Sequence, residues 1–379
     1  MVKAPSDDLP LMSTEEGIVL CHPHIPSKAK EYVCDTLDSR WVGQGPKVDL
    51  FEASFRAKFR LGPCVSVGSG TDALHLAYLL AGIQQGDEVL APLFTCTATN
   101  IPLLYIGAQI KFVDVDPLTL NICIEDLRKK ISERTKAIVC VHYGGLPCDM
   151  DEIWALAAEH SIPVIEDAAQ ALGATYRNRP MGCDSEFTIF SFQAVKLMTT
   201  GDGGMLTFKN ASLDATARRL RWFGIDRALK HKGVWKNDIT EIGYKYQLTD
   251  IGAALGLAAL EEFEQILELR TTLYQRYVAN LRDLSHVRIV DDFDARKVHA
   301  AWLFSILVER RRDCQLKLHG EGIESGQMHY RNDRYSVFSC NEEFPRMDSI
   351  DGNYLCLPLH TKMNAADVDR ICDVLKAGW

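Results

Sequence analysis

The sequence predicts an α/β protein: a large domain on a mainly parallel sheet, then a smaller α+β domain. Three observations predict it. From residue 65 onward, short apolar runs alternate with helix-like segments, the pattern of strands joined by crossover helices. After a long helical stretch near residue 260 this alternation gives way to a mixture of strands and helices. The length of 379 residues exceeds one ordinary core and suits a large domain plus a smaller one.

Taken in order, residues 1–20 read as a loose leader. Residues 1–17 are polar and acidic and contain no apolar signal-peptide core. Residues 27–59 are helical in pattern, interrupted by the loop Trp41-Val42-Gly43-Gln44-Gly45-Pro46. Strands are predicted at 65–67, 89–91, 110–113, 137–141 and 163–165, with helices at 71–81, 124–131 and 150–160. On such a scaffold functional residues gather at the carboxyl ends of strands, where Asp167 and His142 fall. A long helix is expected over 249–284, then strands at 286–290 and 302–308 and helices at 312–320 and 365–377. The expected division is a leader at 1–20, a large domain at 21–259 and a small domain at 260–379.

Hydrophobic residues make up 47% and charged residues 25%, ordinary globular values that imply a sizeable core. A net charge of -9 argues against general nucleic-acid binding, which needs a basic footprint. It leaves room for a phosphorylated small molecule at a helix N-terminus. No apolar run is long enough to span a bilayer. The 12 cysteines are scattered, with no C-x-x-C pair, so reduced thiols, no metal site and a cytoplasmic setting are expected. No G-x-S-x-G elbow supports a serine hydrolase.

Three segments carry candidate chemistry. Gly68-Ser69-Gly70-Thr71-Asp72-Ala73-Leu74 joins a short strand to an apolar helix. Glycines let the backbone approach a ligand, and free N–H groups at the helix start suit a phosphate. The same residues also suit an ordinary capped turn, and they are neither a Walker A loop nor G-x-G-x-x-G. Val164-Ile165-Glu166-Asp167-Ala168-Ala169-Gln170 puts two carboxylates at a strand end. Adjacent strand residues point to opposite faces, so only one of the two can serve a given ligand face, for instance by pairing with a cationic ring nitrogen. A surface pair is the alternative. Phe190-Ser191-Phe192-Gln193-Ala194-Val195-Lys196, with Thr199-Thr200-Gly201-Asp202-Gly203-Gly204 after it, surrounds a lysine with apolar residues. A desolvated lysine becomes a nucleophilic amine able to form imines, whereas a snorkelling lysine does not. A phosphate turn, a ring-nitrogen carboxylate and an imine-forming lysine, in that order, are what pyridoxal 5'-phosphate (PLP) requires.

On these segments the chain resembles the StrS/DegT-type sugar aminotransferases, a branch of the fold-type-I PLP enzymes. The resemblance runs from about Pro26 to the C-terminus. It continues through Gly-Asp-Glu-Val-Leu-Ala-Pro (86–92), Phe-Val-Asp-Val-Asp-Pro (112–117), Thr-Lys-Ala-Ile-Val (135–139), Tyr-Lys-Tyr-Gln-Leu-Thr-Asp-Ile (244–251) and Ala-Ala-Leu-Gly-Leu (253–257). It implies a large domain of the aspartate-aminotransferase type with Lys196 holding PLP as a Schiff base and moving the proton. It further implies Asp167 on the pyridine nitrogen, Gln170 on the ring hydroxyl, and Gly70, Thr71 and Ser191 on the phosphate. Family members build the site across a homodimer, with a partner-chain segment matching 244–247 at the phosphate. Many carry asparagine there, where this chain offers Lys245 and Gln247. Many also place a ring-stacking aromatic where this chain has Cys96, with Phe94 nearby. The implied substrates are a nucleotide-linked keto-sugar and L-glutamate, with pyridoxamine phosphate between the two half-reactions. The implied sugar-side positions are Gly43 in its loop, His329 and Tyr330; His142 and Tyr143 are further substrate candidates by their place at a strand end. A branch that removes a sugar hydroxyl carries histidine in place of the lysine. A sugar dehydratase and a non-catalytic sugar-nucleotide sensor are the alternatives, and the presence of Lys196 favours the aminotransferase.

Overall fold

The computed structural model describes residues 9–236 and 238–379; residues 1–8 of the expected leader lie outside the described residues. Seven strands form the central sheet: β1 Cys64–Val67, β2 Glu88–Pro92, β3 Gln109–Val113, β4 Thr135–Val141, β5 Val164–Asp167, β6 Phe187–Ser191 and β7 Gly204–Phe208. Their spatial order is β1-β7-β6-β5-β4-β2-β3. Pairs β2/β3, β2/β4, β4/β5 and β5/β6 are parallel, and only β7 runs against its neighbours β1 and β6. The mainly parallel α/β fold is therefore as expected. Strands β1, β5 and β7 are buried throughout, polar residues included, because helices cover the sheet on both sides.

Strands β6 and β7 were not anticipated, because Phe187–Ser191 breaks strict alternation and the stretch between the two strands is dominated by its lysine and glycines. They place Lys196 in the irregular connection between two antiparallel strands. Helix α4, Thr97–Ile106, was also not expected: its threonine-rich start and internal Pro102 hide the period. It follows α1 Ala29–Ser39, α2 Pro46–Phe59 and α3 Gly70–Leu80.

A three-stranded antiparallel sheet, Val287–Ile289, Phe304–Val308 and Tyr354–Leu357, packs with helices Arg311–Gly320 and Ala365–Ala377. The helix Asp250–Leu281 runs without a break through residue 260, the expected domain boundary. Its first part packs Ala259, Leu260 and Phe263 with Phe51, Phe55 and Phe59 of α2, and its second part packs Tyr274, Tyr277 and Leu281 with the C-terminal helix. Both cores share one helix, so that boundary has no linker.

The described end of the leader is not loose. Ile18 N–H donates to the Gly322 carbonyl at 2.9 Å, Leu20 N–H donates to Glu324 at 2.7 Å, and His360 donates to the Val19 carbonyl at 2.9 Å. Gly17 lies so close to this segment that a side chain would meet the Gly322 carbonyl oxygen at 2.2 Å. These partners lie some 300 residues along the chain, beyond what local composition reveals.

Candidate active site

The turn between β1 and α3 is built by close approach. Ser69 caps α3, its hydroxyl accepting from Asp72 N–H at 3.0 Å. The first N–H groups of the helix, on Gly70 and Thr71, have no intrahelical partner. A side chain on Gly70 would meet Ser191 Cβ at 2.9 Å, and one on Gly204 would meet Gly70 N at 2.8 Å. Ser191 and Gly204 are register partners across β6 and β7. The Ser191 hydroxyl accepts only a long bond, 3.4 Å, from Gln193 N–H and keeps its own hydrogen to donate. Gly70, Thr71 and Ser191 thus form one cluster of donors at the positive end of a helix, suited to an anion.

Asp167 ends β5 and is buried. One carboxylate oxygen accepts from Ala169 N–H at 3.0 Å, the other from the Thr99 hydroxyl at 2.7 Å. Thr99 in turn accepts from Thr95 at 2.9 Å. Burial pushes the carboxyl pKa up, against the pull of Thr99, Ala169, Lys196 and His142. No cation pairs directly with Asp167 among the described residues.

Lys196 lies within electrostatic reach of Asp167. Its Nζ sits 3.7 Å from the centroid of the Trp302 ring. Burial lowers its pKa to about 8, against the opposing influence of Asp167, Cys96 and Cys21. At neutral pH about a tenth of the amine is therefore free, far more than in an ordinary surface lysine.

Gln170 is clamped at both ends of its amide. Its Oε1 accepts from Gly144 N–H at 2.7 Å, and its Nε2 donates to His329 Nε2 at 3.2 Å. Burial, then the Lys196 charge, lowers the His329 pKa to about 3, so the ring is neutral and its nitrogen can accept. The second Nε2 hydrogen of Gln170 remains available. His329 therefore joins the lysine site through Gln170 and through near-parallel packing on Trp302 at 6.0 Å and 27°.

The other expected positions differ in how near they come to this site. His142 is fully buried: Nε2 donates to Glu166 at 3.0 Å and Nδ1 accepts from Cys148 N–H at 3.1 Å, leaving neither ring nitrogen for a substrate. Glu166 points away from Asp167, as strand alternation requires. Tyr143 is buried behind His329, with its hydroxyl on Tyr354. Tyr330 is 50% exposed. The Gly43 carbonyl accepts from Asp250 N–H at 2.7 Å, and the Asp250 carboxylate caps α2 through the N–H groups of Gly45, Lys47 and Val48. Gln247 bridges Val67 of its own chain, and Gly68 N–H donates to the Tyr246 carbonyl at 2.7 Å. Lys245 is exposed, with Nζ over the Trp222 ring at 4.2 Å. Phe94 is buried against Tyr143 and Tyr354 and presents no free ring face, whereas Cys96 is exposed at the start of α4.

Three neighbours of the site escaped the sequence. Thr99 orients Asp167 from 68 residues away. Trp302 faces Lys196, and Arg270 donates to the Ala301 and Trp302 carbonyls at 2.9 and 2.6 Å. An arginine inside an apolar helical period was the one available signal, since a buried charge needs a structural reason.

Comparison with known proteins identifies the family. Residues 23–376 match the DegT/DnrJ/EryC1/StrS aminotransferase family. The GDP-perosamine synthase of Escherichia coli O157:H7 is 34% identical over 363 residues, covering 94% of this chain and 97% of that protein. The UDP-4-amino-4-deoxy-L-arabinose–oxoglutarate aminotransferase of Shewanella sediminis is 32% identical over 385 residues, covering 94% and 97%. The crystal structure of the sugar aminotransferase CalS13 from Micromonospora echinospora superposes with a TM-score of 0.91 at 32% identity, covering 96% of this chain and 100% of that one. With the match spanning nearly its whole length and the fold shared, the chain belongs to the DegT/DnrJ/EryC1/StrS aminotransferase family of PLP-dependent sugar aminotransferases.

Proposed function

We propose that this enzyme moves an amino group from L-glutamate to a nucleotide-linked keto-sugar, with Lys196 as covalent carrier of PLP and as proton-transfer group. The observation that carries the reading is the Asp167 carboxylate. It is buried at a strand end without a paired cation, within electrostatic reach of a lysine whose pKa burial has lowered. A buried carboxylate in that state is costly unless a ligand supplies the positive charge.

The residues fit PLP. The space beside Gly70 is one that a side chain would fill, and its donor set suits a phosphate. A pyridinium supplies the charge that Asp167 lacks. When bound, PLP supplies the electron sink that lets an amino group pass between two substrates. The chain's own groups do the rest. Asp167, held by Thr99 and Ala169, keeps a proton at the ring nitrogen. Gln170, held by Gly144 and neutral His329, offers its remaining amide hydrogen to the ring oxygen. Lys196 Nζ takes a proton from the donor carbon and returns it to the sugar carbon, which a pKa near the working pH favours. The reading includes a homodimer in the cytoplasm, with exposed Lys245 or half-buried Gln247 of one copy reaching the phosphate held by the other.

The names of the Escherichia coli and Shewanella relatives, a GDP-linked and a UDP-linked amino sugar, support a nucleotide-linked substrate. The oxoglutarate in the second supports L-glutamate as donor. The test is mass spectrometry of GDP-, UDP- and dTDP-linked keto-sugars incubated with the enzyme and glutamate. The expected product is an aminated sugar nucleotide with an equal amount of 2-oxoglutarate. A deoxygenated sugar without the amine, or no glutamate consumed with any acceptor, would contradict the reading.

A further inference from the structure

Trp302 is fixed from several sides. Its indole N–H donates to the carbonyl of Val195 at 2.9 Å, one residue before Lys196. Its backbone N–H donates to the Gly144 carbonyl at 3.1 Å, and its own carbonyl accepts from Arg270 at 2.6 Å. Arg270 is itself buried and spends its guanidinium on the Ala301 and Trp302 carbonyls, with no ion pair among the described residues. The effect is a rigid indole, 3% exposed, whose face meets the Lys196 ammonium. Lys196 Nζ makes no hydrogen bond or ion pair among the described residues, so the ring is its one direct neighbour of opposite electrostatic character.

We propose that the Trp302 ring face is the holding place of Lys196 Nζ whenever that nitrogen is not bonded to the cofactor, which makes Trp302 a positioning residue for amino transfer. The proposal rests on the reading that Lys196 carries PLP. A lysine displaced by an incoming amino donor has a long flexible stem and must stay within reach to move the proton. An aromatic face attracts the ammonium without the strong, directional hold of a carboxylate, so the nitrogen is retained and still able to lose its proton. The other groups that face Lys196 are Asp167 from the end of β5, Cys96 from the start of α4, Cys21 from the N-terminal segment and neutral His329 beside Trp302. None of these makes a hydrogen bond or ion pair with Nζ among the described residues.

The test uses the full-length protein freed of cofactor and mixed with PLP across a pH series. The rate at which the visible adduct forms titrates with the Lys196 amine. Fluorinated tryptophan in place of all 6 tryptophans preserves shape but weakens the negative ring face, and Trp302 alone has Lys196 over it. Trp302→Leu removes the face, and Trp302→Phe keeps one. The midpoint is expected to fall by about half a pH unit in the fluorinated protein and by roughly one unit in Trp302→Leu, with Trp302→Phe near the parent. A purely structural role would change folding stability and leave the midpoint in place. An unchanged midpoint in the fluorinated protein, with PLP attached to Lys196, overturns this proposal alone, even if Trp302→Leu does not fold. PLP attached to another lysine overturns the functional reading and this proposal together.

Discussion

Asp167→Asn is expected to fold normally and to lose most of its amino-transfer rate. Asparagine matches aspartate in shape, so the bond from Ala169 N–H and the contact with Thr99 can both be kept, and the buried strand end loses a charge that burial already disfavours. Stability should therefore hold or rise slightly. What disappears is the negative charge facing the ring nitrogen. A neutral amide cannot hold a proton there, and the electron sink weakens. The expected loss in kcat is about 10²-fold or more, the scale seen when one preorganised electrostatic partner is removed. Steady-state kinetics beside a thermal melt checks both halves. A variant with parental kcat would mean that Asp167 does not face the cofactor nitrogen.

Glu52→Gln is expected to have the largest effect on stability. Glu52 lies on α2, and its carboxylate accepts from Ser66 N–H at 2.9 Å, the Ser66 hydroxyl at 2.8 Å, Arg221 at 2.6 Å and Arg218 at 2.8 Å. It thereby ties α2 and the helix Asp214–Arg221 to β1, just before the Gly68–Gly70 turn. Arg221 is 3% exposed, so removing the carboxylate's charge strands a buried guanidinium. Breaking one side of such a pair costs about 3–5 kcal/mol. The outer partner, Arg218, is 37% exposed and adds little because water screens it.

The effect should depend on pH in a definite direction. Burial pushes the Glu52 pKa up, but Arg221, Arg218 and the Ser66 N–H outweigh it and hold the carboxyl below its ordinary value. A lowered carboxyl pKa adds stability that is complete above the unfolded value, about 4.3, and is lost as pH falls through the folded value. The stability gap between parent and Glu52→Gln should thus be full at pH 7 and narrow below about pH 4. Urea melts at the two pH values check this. A gap that stays constant or widens in acid would contradict the assignment.

These two residues differ in how far the sequence disclosed them. Asp167 was legible because its strand, its small neighbours and its place before a lysine and a glycine turn are all local. The same holds for the Gly70 turn and for most strands of the parallel sheet. Glu52 was not legible, since a glutamate in a helical period looks like any surface charge until Arg221 arrives from 169 residues away. Thr99, Trp302 and Arg270 were hidden for the same reason: each acts through a contact that only the tertiary fold creates. His142 shows the opposite error. Its strand-end position suggested a substrate contact, but it lies on the Glu166 side of the sheet and its nitrogens are already engaged. The sheet's alternation, which separates Glu166 from Asp167, also separates a structural hydrogen-bonded pair from the reacting side.

The central claim is that Lys196 bears the cofactor. Full-length protein loaded with PLP, reduced with borohydride, digested and mapped by mass spectrometry tests it directly. The account predicts the reduced cofactor on the peptide containing Lys196 and on no other, with the label absent in Lys196→Ala. Attachment to a different lysine, such as Lys245, or full labelling that survives in Lys196→Ala, would contradict it.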